Sequence, residues 1–128
     1  MIKVLVIEPF QEHHDTLIST LNMYGCEAKG ANTIKKAFEK IKTFNPHLIL
    51  IADFINADKA WQFGAELLKD DPKSRPYMVV LAGLPNKRQK ALCEEHGFDD
   101  YASKPIELPF LLRCIAKARE RAEQEQPK

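Results

Sequence analysis

The sequence predicts an α/β fold: a doubly wound parallel sheet of five short strands with helices on both faces. Three observations predict it. Apolar, β-branched runs alternate with longer segments of helical periodicity. The alternation repeats in the order strand then helix, as a parallel sheet with crossover helices requires. Gly, Pro and Asn fall between the runs, where turns need them.

The elements follow in order. Residues 2–7 form an apolar run suited to a strand buried on both faces, and Glu8-Pro9 stops it because proline donates nothing to a ladder. Residues 11–24 place Leu17, Ile18, Leu21 and Met23 close to helical spacing, with Gly25 as the stop. Residues 26–30 make a weaker second strand. Asn32 or Thr33 caps the next helix, whose inner face is Ile34, Ala37, Phe38 and Ile41 and which ends before Asn45-Pro46. Residues 48–52, Leu-Ile-Leu-Ile-Ala, are the third and most apolar strand. Residues 53–59 read as a loop and 60–70 as a helix, with Trp61, Leu67 and Leu68 packing and Gly64 weakening it. A polar connection over 71–76 leads to a fourth strand at 78–82. A charged helix over 86–96 ends at Gly97, and a short fifth strand over 99–103 is cut by Lys104-Pro105. The last helix starts near Glu107, with Leu111, Leu112, Ile115 and Ala118 as its inner face. Beyond Ala118 the apolar stripe is lost. The expected domain is therefore 1–118, with 119–128 a charged helix extension or a linker toward an output domain.

Composition bounds the function. The 128 residues suit one domain. Lys and Arg number 19 against 18 Asp and Glu, which argues against direct nucleic-acid binding or a membrane-surface role, since both need a basic field. No apolar run approaches a membrane span, and Met1-Ile2-Lys3 enters a strand without a signal-peptide pattern. Cys26, Cys93 and Cys114 show no C-x-x-C or metal-site spacing and read as reduced, buried thiols. These features predict a cytoplasmic protein.

In an open parallel sheet, ligands bind beyond the carboxyl ends of the strands, where strand order reverses. For the order 2-1-3-4-5 that point lies between the first and third strands. It brings forward Glu8 and Pro9, Ala52 and Asp53, Ala82 and Gly83, and Lys104.

Several runs then point to one family. Lys3-Val4-Leu5-Val6-Ile7 is followed by the acid Glu8. Gly25-Cys26-Glu27 precedes Ala31 and Ala37. Pro46-His47-Leu48-Ile49-Leu50-Ile51 leads into the third strand. Gly97-Phe98-Asp99-Asp100-Tyr101-Ala102-Ser103-Lys104-Pro105 is the most specific piece. In order and spacing, over about residues 2–118, the chain resembles the CheY-like receiver domains of two-component response regulators. The resemblance implies a flavodoxin-like (βα)5 sandwich. It also implies a phosphorylation pocket of five parts: two acids holding Mg2+, a phosphoacceptor aspartate, a Ser or Thr hydroxyl, and a lysine that neutralises the phosphoryl group.

Most of those parts are missing. Glu8 stands at the first acid, but Pro9 stands at the second and has no ligand atom. Counting six from Pro46 reaches Ala52 at the phosphoacceptor position. Ala82 falls at the hydroxyl position, and counting from Pro76 reaches Leu81, which also lacks a hydroxyl. Lys104-Pro105 is intact, and Tyr101 occupies the aromatic switch position. Asp53 lies one residue past the expected aspartate, so the pleat should turn it to the other face unless a bulge re-aims it.

Other constellations read as structure. His13-His14 beside Glu12 and Asp15 project about 100° apart on a helix, which disfavours joint chelation of one ion; they read as exposed first-turn residues. His47 and His96 read as surface, and Asp99-Asp100 as solvated. Glu8-Pro9-Phe10-Gln11-Glu12 is the opposite of a glycine- and hydroxyl-rich phosphate loop, which disfavours a small flavin or nucleotide enzyme. Lys87, Arg88 and Lys90 make a basic cluster at the start of the fourth helix. That cluster borders the surface that the resemblance marks as the partner interface. Trp61 is a partner anchor if exposed and core if buried.

The expectation is a non-enzymatic pseudo-receiver with a degenerate pocket (Glu8, Pro9, Ala52, Asp53, Ala82, Lys104). Its switch and interface residues are Tyr101, Lys104, Pro105, Lys87 and Arg88. It binds no metal or cofactor and signals by docking a histidine kinase, an output domain, another signalling protein or a second copy of itself. Within this reading Lys104 pairs with Glu8 or Asp53 in place of a phosphoryl group. The alternative is a working phosphorelay receiver, phosphorylated at Asp53 by a histidine kinase, with Mg2+ held by Glu8 and Asp53.

Overall fold

The computed structural model describes residues 1–70 and 75–125. Five parallel strands form the central sheet: β1 (Lys3–Ile7), β2 (Glu27–Ala31), β3 (Leu48–Ala52), β6 (Tyr77–Ala82) and β7 (Asp100–Ser103). Their spatial order is β2-β1-β3-β6-β7, the order expected for a flavodoxin-like sandwich. Between β3 and β6 the chain adds a small antiparallel hairpin, β4 (Phe54–Ile55) and β5 (Asp58–Lys59). The helices are α1 (Gln11–Met23), α2 (Ile34–Phe44), α3 (Ala60–Asp70), α4 (Lys87–Glu95) and α5 (Leu108–Glu125).

The alternation of side chains along each strand divides the core in two. Val4, Val6, Leu48, Leu50, Val79 and Leu81 face α1 and α5, meeting Leu21, Leu111, Cys114, Ile115 and Ala118. Leu5, Ile7, Ile49, Ile51, Met78 and Val80 face α2, α3 and α4, meeting Ala37, Phe63, Leu67 and Cys93. Both faces of β1, β3 and β6 are thus covered, which is why these strands are continuous apolar runs. Each fully buried Leu or Ile contributes roughly 1.5–3 kcal/mol relative to exposure.

Local signals explain the boundaries. The Thr33 hydroxyl accepts the Lys36 amide and caps α2. The Asn86 side-chain Oδ1 accepts the amides of Arg88 and Gln89 and caps α4. Asn45 closes α2 in the left-handed conformation at φ 51°, where a short polar side chain is tolerated.

Some sequence expectations change. The loop expected over 53–59 holds the β4–β5 hairpin, whose turn puts Asn56 at φ 59°. The fourth strand begins at Tyr77, one residue before the apolar run. Helix α5 continues past Ala118 as far as Glu125. Of the polar connection expected over 71–76, only Arg75 and Pro76 lie within the described residues.

Candidate functional site

Strands β1 and β3 pair from Val4–Leu48 to Ile7–Ile51, which sets Glu8 level with Ala52 at the carboxyl edge. The Glu8 amide continues the ladder by donating to the Ala31 carbonyl at 3.0 Å. Following Val4 and Val6, the Glu8 side chain lies on the α1/α5 face. There it is 4% exposed. On the far side of the edge, the Lys104 amide donates to the Ala82 carbonyl at 2.8 Å. Lys104 alternates in phase with Ala102, which packs on the same face. The two elements therefore aim an acid and an ammonium at one place.

They meet there. Lys104 Nζ donates to Glu8 Oε1 in a hydrogen-bonded ion pair. Glu8 Oε2 accepts the Phe10 amide at 3.1 Å, so both carboxylate oxygens are engaged. His13 Nδ1, from the first turn of α1, lies 3.4 Å from Lys104 Nζ and 3.8 Å from Glu8 Oε1. The Phe10 ring lies over both, 5.9 Å from Lys104 Nζ and 5.4 Å from the His13 ring. The peptide between Lys104 and Pro105 is cis.

Ala52 is 3% exposed and pairs with Leu81. By the same alternation, Leu81 shares the α1/α5 face with Glu8, Ala52 and Lys104. Ala82 follows Val80 onto the opposite face, so the sheet places Leu81, and not Ala82, at the position facing Ala52. Both are apolar. Pro9 is partly exposed and offers no donor atom for a cation.

Asp53 lies outside this constellation. It follows Ile49 and Ile51 onto the α2–α4 face, where its charge raises the pKa values of the Cys93 thiol and Tyr101 phenol behind the larger effect of their burial. Its backbone is also committed: its amide donates to Leu81 at 3.1 Å, and its carbonyl accepts Ala60 at 3.0 Å, closing the hairpin. Its Oδ1 accepts the Phe54 amide at 3.1 Å. Glu8 and Asp53 thus point to opposite faces of the sheet. The donor set does not fit a magnesium site: the alternative pair is split, Pro9 cannot ligate, and Glu8 is occupied by Lys104. Among the described residues, no group of three or more His, Cys, Asp or Glu side chains could hold a metal ion.

Tyr101 is half-buried against the α2–α4 face, and its hydroxyl accepts the Asn86 amide at 3.3 Å. It therefore ties β7 to the start of α4. Lys87 and Arg88 project from that first turn into solvent, as does Lys90. Pro105, Leu108 and Leu112 are exposed at the start of α5, and Leu84 is 87% exposed before α4.

Several residues read from sequence as solvated are engaged. Asp99 accepts Arg121 Nη2 at 2.7 Å, Arg121 Nη1 at 2.9 Å and the Met78 amide at 2.9 Å. Asp100 accepts the Tyr77 hydroxyl at 2.6 Å. His47 Nδ1 accepts the Lys3 amide at 2.9 Å, and burial followed by the Lys3 and N-terminal charges lowers its pKa. His96 stacks on Trp61 at 5.2 Å. Trp61 is half-buried in the α2–α4 core, and its Nε1 is buried without a hydrogen-bond partner among the described residues. It is thus packed within the core. Phe63 is 2% exposed. His14 packs over Gly30, where a Cβ would lie 1.7 Å from its Nε2. The three cysteines are free and buried, and burial raises each thiol, Cys93 to about 11 and Cys114 to about 12. Such thiols are poor nucleophiles. His13 and Phe10 were missed as site residues, and the only sequence signal for them was their place beside a strand's carboxyl end. Leu81 is the residue that counting from Pro76 reaches.

No family model matches the chain, and no curated protein does. Solved structures do match. A CheY-like response regulator receiver domain protein from Methanospirillum hungatei JF-1 superposes with a TM-score of 0.87 at 19% identity, over 98% of this chain and 99% of that one. A receiver domain protein from Clostridium thermocellum gives 0.89 at 18% identity, over 98% and 100%. The beryllofluoride-activated NtrC4 receiver domain, described as a dimer, gives 0.85 at 21% identity, over 94% and 98%. The chain has the receiver fold. Within that fold, Glu8 and Lys104 sit at the carboxyl edge and are joined directly to each other. No helix among the described residues is long and apolar enough to cross a membrane.

Proposed function

We propose that this chain is a receiver-like signalling module that works by docking protein partners and carries no phosphoryl switch. The observation that carries this reading is the Glu8–Lys104 pair. The acid that would hold a cation and the lysine that would neutralise a phosphoryl group satisfy each other. Ala52 and Leu81 supply neither an acceptor carboxylate nor a hydroxyl beside them. Phosphoryl transfer rests on a clamp of cation, carboxylates and lysine, and this pocket has one carboxylate, already neutralised. The module is accordingly neither an enzyme nor a metalloprotein.

Docking falls to the α4–β7–α5 surface. Leu84, Leu108 and Leu112 are exposed there, with Lys87, Arg88 and Lys90 beside them. Exposed apolar side chains together with charged ones suit a protein interface. A histidine kinase, an output domain, another signalling protein and a second copy of the chain all fit that description. The dimer described for the NtrC4 receiver makes the last concrete.

The test is exposure to beryllium fluoride or acetyl phosphate with magnesium, read by amide NMR shifts. The expected result is no change at Glu8, Ala52, Asp53, Leu81 or Lys104. Shifts clustered there and abolished by Asp53→Asn would overturn the reading in favour of a phosphorelay receiver modified at Asp53.

A further inference from the structure

Helix α4 carries its charges against its own dipole. Lys87 and Arg88 stand in the first turn, which holds no acid, and Glu94 and Glu95 stand in the last, which holds no base. A helix has a partial positive charge at its amino end and a partial negative one at its carboxyl end, so each of these side chains sits at the end that repels it. Exposed helices gain from the reverse order. Nothing within the chain offsets the cost. Among the described residues, none of the four side chains takes part in an ion pair.

The four charges also obey a symmetry. Arg88 and Glu94 lie three residues before and after Ala91, and Lys87 and Glu95 lie four. Positions three and four apart share a helix face, so all four surround Ala91 on one face. That face points to solvent: Lys87, Arg88, Ala91, Glu94 and Glu95 are exposed, while the helix buries Cys93. Such a stripe is its own complement when turned end for end. A second α4 laid antiparallel across it, with a two-fold axis at Ala91, sets Lys87 opposite Glu95 and Arg88 opposite Glu94, each pair twice. The alanine at the centre lets the two axes approach. Each helix end then faces the opposite end of its neighbour, which satisfies dipole and side-chain charges together.

We propose that this chain pairs with a second copy of itself through antiparallel α4 helices centred on Ala91. This names one occupant for the docking surface described above, and what the pairing does in signalling rests on that reading. The contact itself uses no pocket residue. Leu84, 87% exposed just before the helix, lies at each end of the pair and adds apolar area. A nine-residue helix covers less than the ~800 Å2 per partner of a standard interface. The dimer is therefore weak, forms at high protein concentration and loosens in salt.

The test is sedimentation equilibrium of the full chain from micromolar to near-millimolar concentration at low salt. The wild type is compared with Lys87→Glu plus Arg88→Glu, and with Glu94→Lys plus Glu95→Lys. Both double variants bring α4 into accord with its dipole, so they favour the helix, and a lost dimer cannot be laid to unfolding. The wild type is expected to dimerise. Each double variant should do so at least about tenfold more weakly, because four exposed pairs become four repulsions. An equimolar mixture of the two variants should regain the dimer, since an acidic face then meets a basic one. A monomeric wild type, variants that dimerise as the wild type does, or a mixture that stays monomeric would overturn the pairing. The wild type is run again with beryllium fluoride and magnesium. A changed dimer fraction there overturns the docking-only reading and leaves the pairing to the mixing result; an unchanged fraction with no recovery on mixing overturns the pairing alone.

Discussion

Glu8 and Lys104 lie 96 residues apart in sequence and share one hydrogen bond. Removing one partner of a buried pair strands the other charge, at about 2–5 kcal/mol. We expect Glu8→Gln and Lys104→Met each to lower urea-unfolding stability within that range, with Glu8→Gln nearer the lower end because the ammonium it strands, Lys104, is 17% exposed against 5% for Glu8. The double variant should cost less than the sum, with a coupling on the order of 1–3 kcal/mol; additive losses would show that the contact contributes nothing. His47 gives the pH dependence. Its folded pKa is lowered, chiefly by burial, so the unfolded chain binds more protons in that range. The stability it contributes is present above the unfolded value of about 6.5 and is lost as pH falls through that value toward the folded one. Thermal melts should show this acid-side loss in the wild type and a smaller one in His47→Gln. At this scale, residue identities were legible but partners were not. Asp99 read as solvated because Arg121, its ion-pair partner, is 22 residues away.

Elements meet at points where one methyl group matters. Gly64 of α3 lies against α4's exit: a Cβ there would stand 2.5 Å from the Phe98 ring and 2.7 Å from the His96 carbonyl. The carbonyl is backbone and cannot turn aside, so Gly64→Ala should destabilise by about 1–3 kcal/mol. An unchanged unfolding midpoint would mean the two helices slide freely. The end of α5 is held to the sheet by Arg121, which bonds Asp99 and lies 5.0 Å over the Tyr77 ring. Arg121→Met should therefore lower amide-exchange protection over residues 119–124 and leave β1 and β3 protected; equal protection in both proteins would show that the helix holds itself. Apolar periodicity foresaw α5 only to Ala118, because one arginine anchoring a polar turn leaves no stripe. The β4–β5 hairpin was invisible for a related reason. Its strands have two residues each, too few for any alternation to register.

The whole molecule decides which face each strand-end residue joins, and that decides the chemistry available. Asp53 and Ala52 are neighbours, yet the pleat sends one toward α2–α4 and the other toward Glu8 and Lys104. Acetyl phosphate should accordingly leave the intact mass of the protein unchanged; a phosphoryl adduct removed by Asp53→Asn would reverse that conclusion. The sequence by itself determined the element order, the parallel sheet and the apolar faces, because periodicity and turn residues are local properties that survive without a partner. It also placed Pro9, Ala52 and Leu81 at the strand ends, since counting along a strand needs no third dimension. Only the tertiary structure decided that Glu8 is buried beneath Lys104, that His13 faces them both, and that Leu81 closes the edge. Those facts depend on strand register and crossover, which bring together side chains that no local pattern connects.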